Sequence, residues 1–385
     1  MGHDGAMSTT DLPATGHELR STITDDGRVT LAMRECDIPE PGPDQVVVRI
    51  GAAPINPSDL GMLFAQADLS AAESTGSDEL PAVSAPVSER VLAGQAARVG
   101  KPMYTGNEGG GTVVAAGSSD EAQALLGKTV GFLSGTAYAT HRTIPVASCL
   151  AMHDGTTAEE AAACFVNPLT ALGMTETMRS EGHTALVHTV GASNLGLMLN
   201  RICIDDGIGL VNIVRKAEHV DLLTAAGAAH VVNSSADSFR DDLMEALSAT
   251  GATIAFDAIG GGDMASTLLS CMEAVASAGA EFSRYGSDTH KQVYIYGGLD
   301  RGPTTLRRDF GMGWSIGGWL LTPFLGKLGP EGTERLRKRV ADEITTTFAS
   351  SYGMRLSLSD AVDPEMVKRY GRMATGDKAL VTPND

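Results

Sequence analysis

The loop Gly191-Ala-Ser-Asn-Leu-Gly196 follows an apolar run, Ala185–Thr189, and runs directly into a helix-like segment. Glycines at its two ends let the backbone turn sharply and approach a pyrophosphate, which then sits over the helix N-terminus. Ser193 and Asn194 stand where a further glycine is usual, and asparagine tolerates left-handed backbone angles better than most residues. Taken alone, the loop is as consistent with an ordinary strand-to-helix turn as with a phosphate cradle. Its position at the head of five alternating strands favours the cradle, built from Gly191, Ala192, Ser193, Asn194, Leu195 and Gly196. A cofactor preference follows from charge. An NAD site usually places Asp or Glu at the end of the second strand, whereas here that strand, Gly209–Lys216, ends in Arg215 and Lys216. A guanidinium at Arg215 suits an adenosine 2′-phosphate through bidentate hydrogen bonds, and Lys216 adds a point charge. The plainer alternative is that both cations solvate a strand end. Asp205 and Asp206 precede the strand and read as turn residues. The balance favours NADPH over NADH.

These groups need a scaffold, and the hydrophobic pattern supplies one. From about Thr184 apolar runs of strand length (Ala185–Thr189, Leu210–Val214, Ala229–Val232, Ile254–Ala258, Val293–Tyr296) alternate with helix-like segments (Leu195–Ile204, Glu218–Ala226, Ser238–Leu247, Met264–Ala278). Continuous rather than alternating apolar strands indicate burial on both faces, and right-handed crossovers then give a Rossmann-type doubly wound parallel sheet of the α/β class. Earlier in the chain, short β-prone runs (Val29–Met33, Gln45–Ala52, Gly111–Gly117, Thr129–Ser134) and Pro-rich turns point to an antiparallel, barrel-like domain. Residues Ala65 to Lys101, rich in Ala, Ser, Gly and Glu, read as a helix-containing insertion or mobile flap over the substrate pocket. Glu331–Ile344 and Pro364–Met373 read as helices, and Lys378–Val381 as a last strand. The segment Phe310–Trp319 reads equally as pocket lining, through Phe310 and Trp314, and as packing at a domain seam.

Composition sets the outer limits. The 385 residues suffice for two domains, and 43% are hydrophobic, as in an ordinary globular protein. With 29 basic against 47 acidic residues the net charge is −18, which argues against nucleic-acid binding. No apolar run of about 18 residues appears, so no membrane span is expected. The N-terminal stretch Met1 to Arg20 lacks a secretory pattern and reads as a frayed polar arm; Met7 offers an alternative start, which makes Met1 to Ala6 an appendage. Cys36, Cys149, Cys164, Cys203 and Cys271 are scattered and odd in number, which fits buried hydrophobes in a reducing, cytoplasmic setting better than a disulfide framework.

Seven stretches, in sequence order, resemble the medium-chain dehydrogenase/reductase superfamily, specifically its zinc-free quinone oxidoreductase and mitochondrial-type enoyl-thioester reductase branches. They are Ala53-Pro-Ile-Asn-Pro-Ser-Asp59, Gly106–Gly117, Val166-Asn-Pro-Leu-Thr-Ala-Leu172, Ala226–Asn233, Asp257–Gly261, Val293–Gly298 and Gly376–Val381. The resemblance implies a GroES-like catalytic domain of β-barrel type over residues 1–165, with the insertion 65–101, completed by 320–385. It implies a Rossmann NADPH-binding domain over 166–319, a cleft between the two for nicotinamide and substrate, and a homodimer pairing sheet edges near Val293–Gly298. Mapped by motif, Asn56 and Thr170 lie by the nicotinamide, Asn167 supports them, Gly297 and Gly298 let the ring approach the backbone, and Lys378 joins the cofactor set. Each has a plainer reading: Asn56-Pro57 as a turn, Thr170 as a helix cap, Gly297-Gly298 as a strand terminus.

The family's zinc ligands are missing. Asn56-Pro-Ser-Asp59 replaces the first cysteine site, Asn107 stands where a histidine would be, and no C-x-x-C pair exists, so no metal site is expected. His183, His188 and His230 flank core strands and read as structural. The enoyl reductases' proton-donating tyrosine is also missing: Phe64-Ala-Gln-Ala67 occupies that neighbourhood, leaving Tyr104 as the substitute or as a packing aromatic. Quinones and activated alkenes need no strict acid, because solvent can protonate the product. The first expectation is therefore NADPH-dependent hydride transfer to such a small-molecule electron acceptor, with enoyl-thioester reduction as the alternative. A non-catalytic NADPH-binding redox sensor is the competing class.

Overall fold

The computed structural model describes residues 12–385, so the expectations for Met1 to Ala6 lie outside the described residues. The arm expected to fray as far as Arg20 is a strand from Thr15 on. The chain divides into two compact units, Met1–Val166 together with Arg337–Asp385, and Asn167–Leu336. The return to the first unit thus falls at Arg337 rather than at residue 320.

In chain order the first unit begins with β1 (Thr15–Ile23), β2 (Arg28–Asp37), β3 (Gln45–Pro54), α1 (Pro57–Phe64), β4 (Glu73–Gly76), β5 (Pro81–Pro86), α2 (Glu89–Gly94) and β6 (Met103–Tyr104). It continues with β7 (Glu108–Ala116), α3 (Asp120–Gln123), β8 (Thr129–Leu133), β9 (His141–Pro145), β10 (Cys149–Ala151) and α4 (Ala158–Ala161). One sheet runs β4-β5-β2-β1-β6. The stretch 65–101 contains the expected helix as α2 and also two strands that sequence reading did not expect: β5 pairs antiparallel with β2 and β4 with β5, and Ala82, Val83 and Ala85 are buried. Their alternation of small apolar and polar residues is too weak to stand out in sequence, and cross-strand pairing on a shared core decides the outcome.

The second unit opens with α5 (Val166–Ser180), β11 (Ala185–Thr189), α6 (Asn194–Asp205), β12 (Gly209–Val214), α7 (Ala217–Ala225), β13 (His230–Asn233), α8 (Phe239–Thr250), β14 (Ile254–Asp257), β15 (Gly260–Gly262) and α9 (Met264–Ala276). β16 (Lys291–Ile295), β17 (Asp300–Thr304), β18 (Trp314–Gly318) and α10 (Leu321–Asp342) follow, the last kinked at Gly329-Pro330. Six strands pair in parallel in the order β13-β12-β11-β14-β16-β18. β11 and β14 are buried throughout, as a sheet covered on both faces requires. The sequence stretch 293–298 is not at a sheet edge. β16 pairs with β14 on one side and β18 on the other, which leaves β18 outermost. Phe310 and Trp314, weighed above as pocket or seam residues, pack edge-to-face at 4.9 Å, and Phe310 belongs to the core of the second unit itself.

The chain then returns through β19 (Met354–Leu356), α11 (Pro364–Tyr370) and β20 (Ala379–Val381). β20 pairs antiparallel with β3 and parallel with β19, completing the sheet β10-β8-β7-β3-β20-β19, to which β9 adds through β3. Among the described residues no helix is long and apolar enough to cross a membrane.

One buried ion pair stands out in the second unit. Lys291, at the start of β16, is fully buried, and its Nζ lies 2.5 Å from Glu273 on α9 and 2.8 Å from the Thr289 carbonyl. Ser287 donates to the same carboxylate, so the loop leading into β16 is pinned by charge. Removing one member of such a pair strands the other, at a cost of about 3–5 kcal/mol, whereas replacing both is far milder. Lys291→Met should lower the urea midpoint sharply, and Glu273→Leu combined with Lys291→Met should recover most of the loss. Equal midpoints for the single and double variants would contradict this account.

Candidate functional site

The groups singled out in the sequence fall into two clusters, one in each unit. In the second unit β11 ends at Thr189, and Val190 takes a left-handed φ of 59°, costly for a β-branched residue. Its carbonyl accepts the Ser193 N–H at 3.0 Å, closing the turn, and the Ser193 hydroxyl accepts the Gly196 N–H at 3.0 Å as the N-cap of α6. Both glycines are sterically required. A Cβ on Gly196 would lie 2.2 Å from the Gly191 carbonyl oxygen, and one on Gly191 would lie 2.9 Å from the Asn212 side chain. Ala192 and Leu195 are buried beneath the turn, while Ser193 and Asn194 are half-buried. Below it Asn212 Nδ2 donates to Asn200 Oδ1 at 3.1 Å, and Asn200 in turn donates to the Ala226 carbonyl.

Arg215 and Lys216 follow β12, the neighbour of β11, and both are exposed. Lys216 pairs with Glu218 at 3.0 Å, which uses part of its charge. Arg215 makes no ion pair among the described residues. The exits of β11 and β14 are tied together: Thr189 Oγ1 donates to the buried Asp257 carboxylate at 2.9 Å and accepts the Ala258 N–H at 2.8 Å. The same carboxylate takes the N–H groups of Ile259 and Gly260. Gly297 lies beyond β16, where a Cβ would strike the Ala258 carbonyl at 2.6 Å; Gly298 faces open space. Asn167 and Thr170 are both buried on the first turns of α5. His188 Nε2 lies 2.7 Å from the Tyr296 hydroxyl, and burial depresses its pKa to about 3, so it stays neutral. His183 bonds Thr253 at 2.6 Å. Both are core residues, although among the described residues His188 Nδ1 is buried without a hydrogen-bond partner.

In the first unit Asn56 is the N-cap of α1, Pro57 starts the helix, and Asp59 folds back to accept the Asn56 N–H at 2.9 Å. Asp59 also accepts the Asn107 N–H at 2.9 Å. Asn56 Nδ2 donates to Glu108 at 2.9 Å, and the other oxygen of Glu108 accepts the N–H groups of Phe165 and Val166, each at 2.9 Å. Among the described residues Asn56 Oδ1 is buried without a hydrogen-bond partner, as is Lys378 Nζ, which stands 5.6 Å from the Tyr352 ring centre. Desolvation dominates here: burial raises the Asp59 pKa to about 7 and that of Glu108 above its usual range, and lowers Lys378 to about 8, with the opposite charges partly countering it. Tyr104 lies elsewhere, half-exposed, with the Arg20 guanidinium 3.2 Å over its ring.

Sequence reasoning singled out Asn56 and Lys378 but gave no role to Asp59 and Glu108, the carboxylates that organise them, nor to Thr189 and Asp257. A carboxylate set among glycines in a strand, as in Asn107-Glu-Gly-Gly-Gly111, was the available signal for Glu108. Among the described residues no group of three or more His, Cys, Asp or Glu side chains is arranged to hold a metal ion.

No family model matches the chain. It is 26% identical over 241 residues to the rat synaptic vesicle membrane protein VAT-1 homolog, a match covering 62% of this chain and 52% of that protein. The chain thus spans about half the length of the curated relatives it matches. Among solved structures, an inferred NADPH:quinone reductase from Mesorhizobium loti superposes with a TM-score of 0.70 at 24% identity, covering 98% of this chain and 100% of that one. A mycobacterial protein solved in complex with NADPH superposes with a TM-score of 0.66 at 20% identity, covering 96% and 100%.

The Asp59 pKa gives a measurable sign. A carboxyl raised from 3.8 to about 7 on folding binds protons more tightly when folded. Its contribution is therefore full below about pH 4 and is lost as pH rises through about 7. Asp59→Asn, although less stable overall because an amide meets a backbone N–H, should flatten the fall of the urea midpoint across that window. An unchanged slope would show that Asp59 titrates normally.

Proposed function

We propose that this chain, which carries the fold of the medium-chain dehydrogenase/reductase superfamily, is an NADPH-dependent oxidoreductase that passes a hydride to a quinone or activated alkene without zinc. The observation carrying this reading is the side-chain-free contact of Gly196 with the Gly191 carbonyl at the exit of β11, next to the exposed Arg215. That turn brings bare backbone and a helix N-terminus to one place, as a pyrophosphate requires. Arg215 suits a 2′-phosphate better than Lys216, whose ammonium is shared with Glu218.

When bound, NADPH supplies the hydride, and the acceptor takes up that hydride together with one proton. The chain's own part is binding and orientation. We assign Gly191, Ala192, Ser193, Asn194, Leu195 and Gly196 to the phosphates, and Asn167, Thr170, Gly297 and Gly298 to the nicotinamide half. Asn56 is assigned to the acceptor site: with Nδ2 held by Glu108, its unpartnered Oδ1 can accept a hydrogen bond from the hydroxyl that forms when a quinone is reduced. Lys378 then acts on that site through Glu108 and Asp59 rather than on the phosphates, and Tyr104 serves as an acceptor contact rather than as an acid. A homodimer of this kind would pair through β18, the outer strand. A cytoplasmic location fits the unpaired cysteines.

The direct test is loss of NADPH absorbance in the presence of quinones, enones and enoyl thioesters. Turnover of the first two supports the proposal, preference for thioesters moves it to the enoyl reductases, and tight binding without turnover favours a redox sensor. Arg215→Ala combined with Lys216→Ala is expected to weaken NADPH at least tenfold while changing NADH little, measured by calorimetry. Equal losses for both would defeat the 2′-phosphate assignment.

A further inference from the structure

The cross-strand register places a second, separate set of charges on one face of the first unit. Along β1, Glu18 lies opposite Arg34 of β2, and Arg20 lies opposite Tyr104 of β6. Alternate residues share a face, so Glu18, Arg20, Arg34 and Tyr104 stand together, with Cys36 beside them. Arg142 reaches the same place from β9. Glu18 is only 3% exposed; one oxygen accepts Arg20 Nε at 2.5 Å and the other accepts Arg142. Arg142 Nε is spent on the Thr136 carbonyl at 2.9 Å.

The charges do not balance. Two guanidiniums, their side chains 18% and 12% exposed, share a single buried carboxylate. Cys36 supplies no second negative charge, because burial, and then the Glu18 charge, raise its pKa and keep it a thiol. What remains facing the two cations is neutral: the Cys36 thiol, hydrogen-bonded to Arg142, and the Tyr104 ring, 3.2 Å from Arg20 and 5.1 Å from Arg142. A ring face is worth about 0.5–2 kcal/mol to a cation and is no counter-ion. Arg34, exposed, adds a third cation to the face. A cationic surplus held largely out of water calls for an anion, and it stands out in a chain of net charge −18.

We propose that Arg20, Arg34, Arg142 and Tyr104 form a subsite for a carboxylate or phosphate group carried by the electron acceptor. Guanidinium forks match both anions bidentately, and the half-exposed Tyr104 ring offers a flat surface to whatever adjoins the anion. The subsite is within reach of the Asn56 cluster. Tyr104 precedes by three residues Asn107, whose N–H is bound by Asp59, and three residues span at most about 11 Å. An acceptor of modest length can therefore hold its charged end here and its reducible end at Asn56. The proposal depends on the oxidoreductase reading only in naming the acceptor as the carrier of the anion.

The test compares a carboxylate-bearing quinone with its neutral methyl ester, using the full chain with NADPH. The wild type should show a KM about tenfold lower for the acid. Arg34→Gln and Arg142→Gln should erase most of that difference, leaving the ester's KM and the NADPH Kd within about twofold. Equal KM values for acid and ester in the wild type, or parallel rises in the variants, would overturn the subsite. Arg34→Gln decides the matter if Arg142→Gln, which strands Glu18, fails to fold. Should neither quinone be reduced, the hydride reading fails and direct binding judges the subsite. Benzoate and inorganic phosphate, titrated separately, should shift the arginine side-chain NMR signals of the wild type and not those of the Arg34→Gln protein. Shifts with phosphate alone would assign the site to phosphorylated acceptors, shifts with benzoate to carboxylated ones, and shifts with neither would sink the proposal.

Discussion

Where β11 gives way to α6, the Gly196 Cα packs against the Gly191 carbonyl with no room for even one additional carbon. Much of the second unit is arranged around that contact. Val190 accepts an unfavourable backbone angle so that the turn can close, a strain of order 1–3 kcal/mol that the surrounding packing must offset. The Asn212–Asn200 pair supports the turn from beneath, and the Thr189–Asp257 network fixes the exit of the adjacent strand. A mobile loop would lose the close backbone approach on which phosphate recognition by amides depends, so the proposed phosphate role requires rigidity here.

The first unit solves a different problem, that of keeping ionisable groups in a dry interior. It does so with two opposite imbalances. Around Asn56, two buried carboxyls, Asp59 and Glu108, face one ammonium, Lys378; around Tyr104, two guanidiniums face one carboxylate, Glu18. Backbone N–H groups make up the deficit in the first case, since Asp59 and Glu108 accept two each. Among the described residues, the guanidiniums gain only neutral partners beside Glu18, the Thr136 carbonyl and the Cys36 thiol.

Much of this architecture was legible in the amino-acid order because its causes are local. The five apolar runs after Thr184 are strands within a residue or two of their expected limits, since burial on both faces leaves an unbroken hydrophobic signature. The tight turn between β11 and α6 was legible for a similar reason: glycine is needed where backbones touch. What escaped was set by distant partners. β4 and β5 are polar and small, and exist because β2 offers them an edge. β18, with two glycines among its five residues, is a strand because β16 templates it. Glu108 and Asp59 act through hydrogen bonds to residues 52 and 48 positions away, Asn56 and Asn107, and no periodicity announces such pairs.

The discontinuity of the first unit carries a consequence for biosynthesis. β20 lies between β3 and β19, yet it is made only after the entire second unit has been translated. During synthesis the sheet around β3 must wait with the Ala53–Pro54 end of that strand unpaired, β9 already holding its Gln45–Arg49 end, while the intervening unit, whose strands are closer together in sequence, has all its parts in hand. The unit that starts before the second one is thus finished after it, and its closing strand also brings in Lys378.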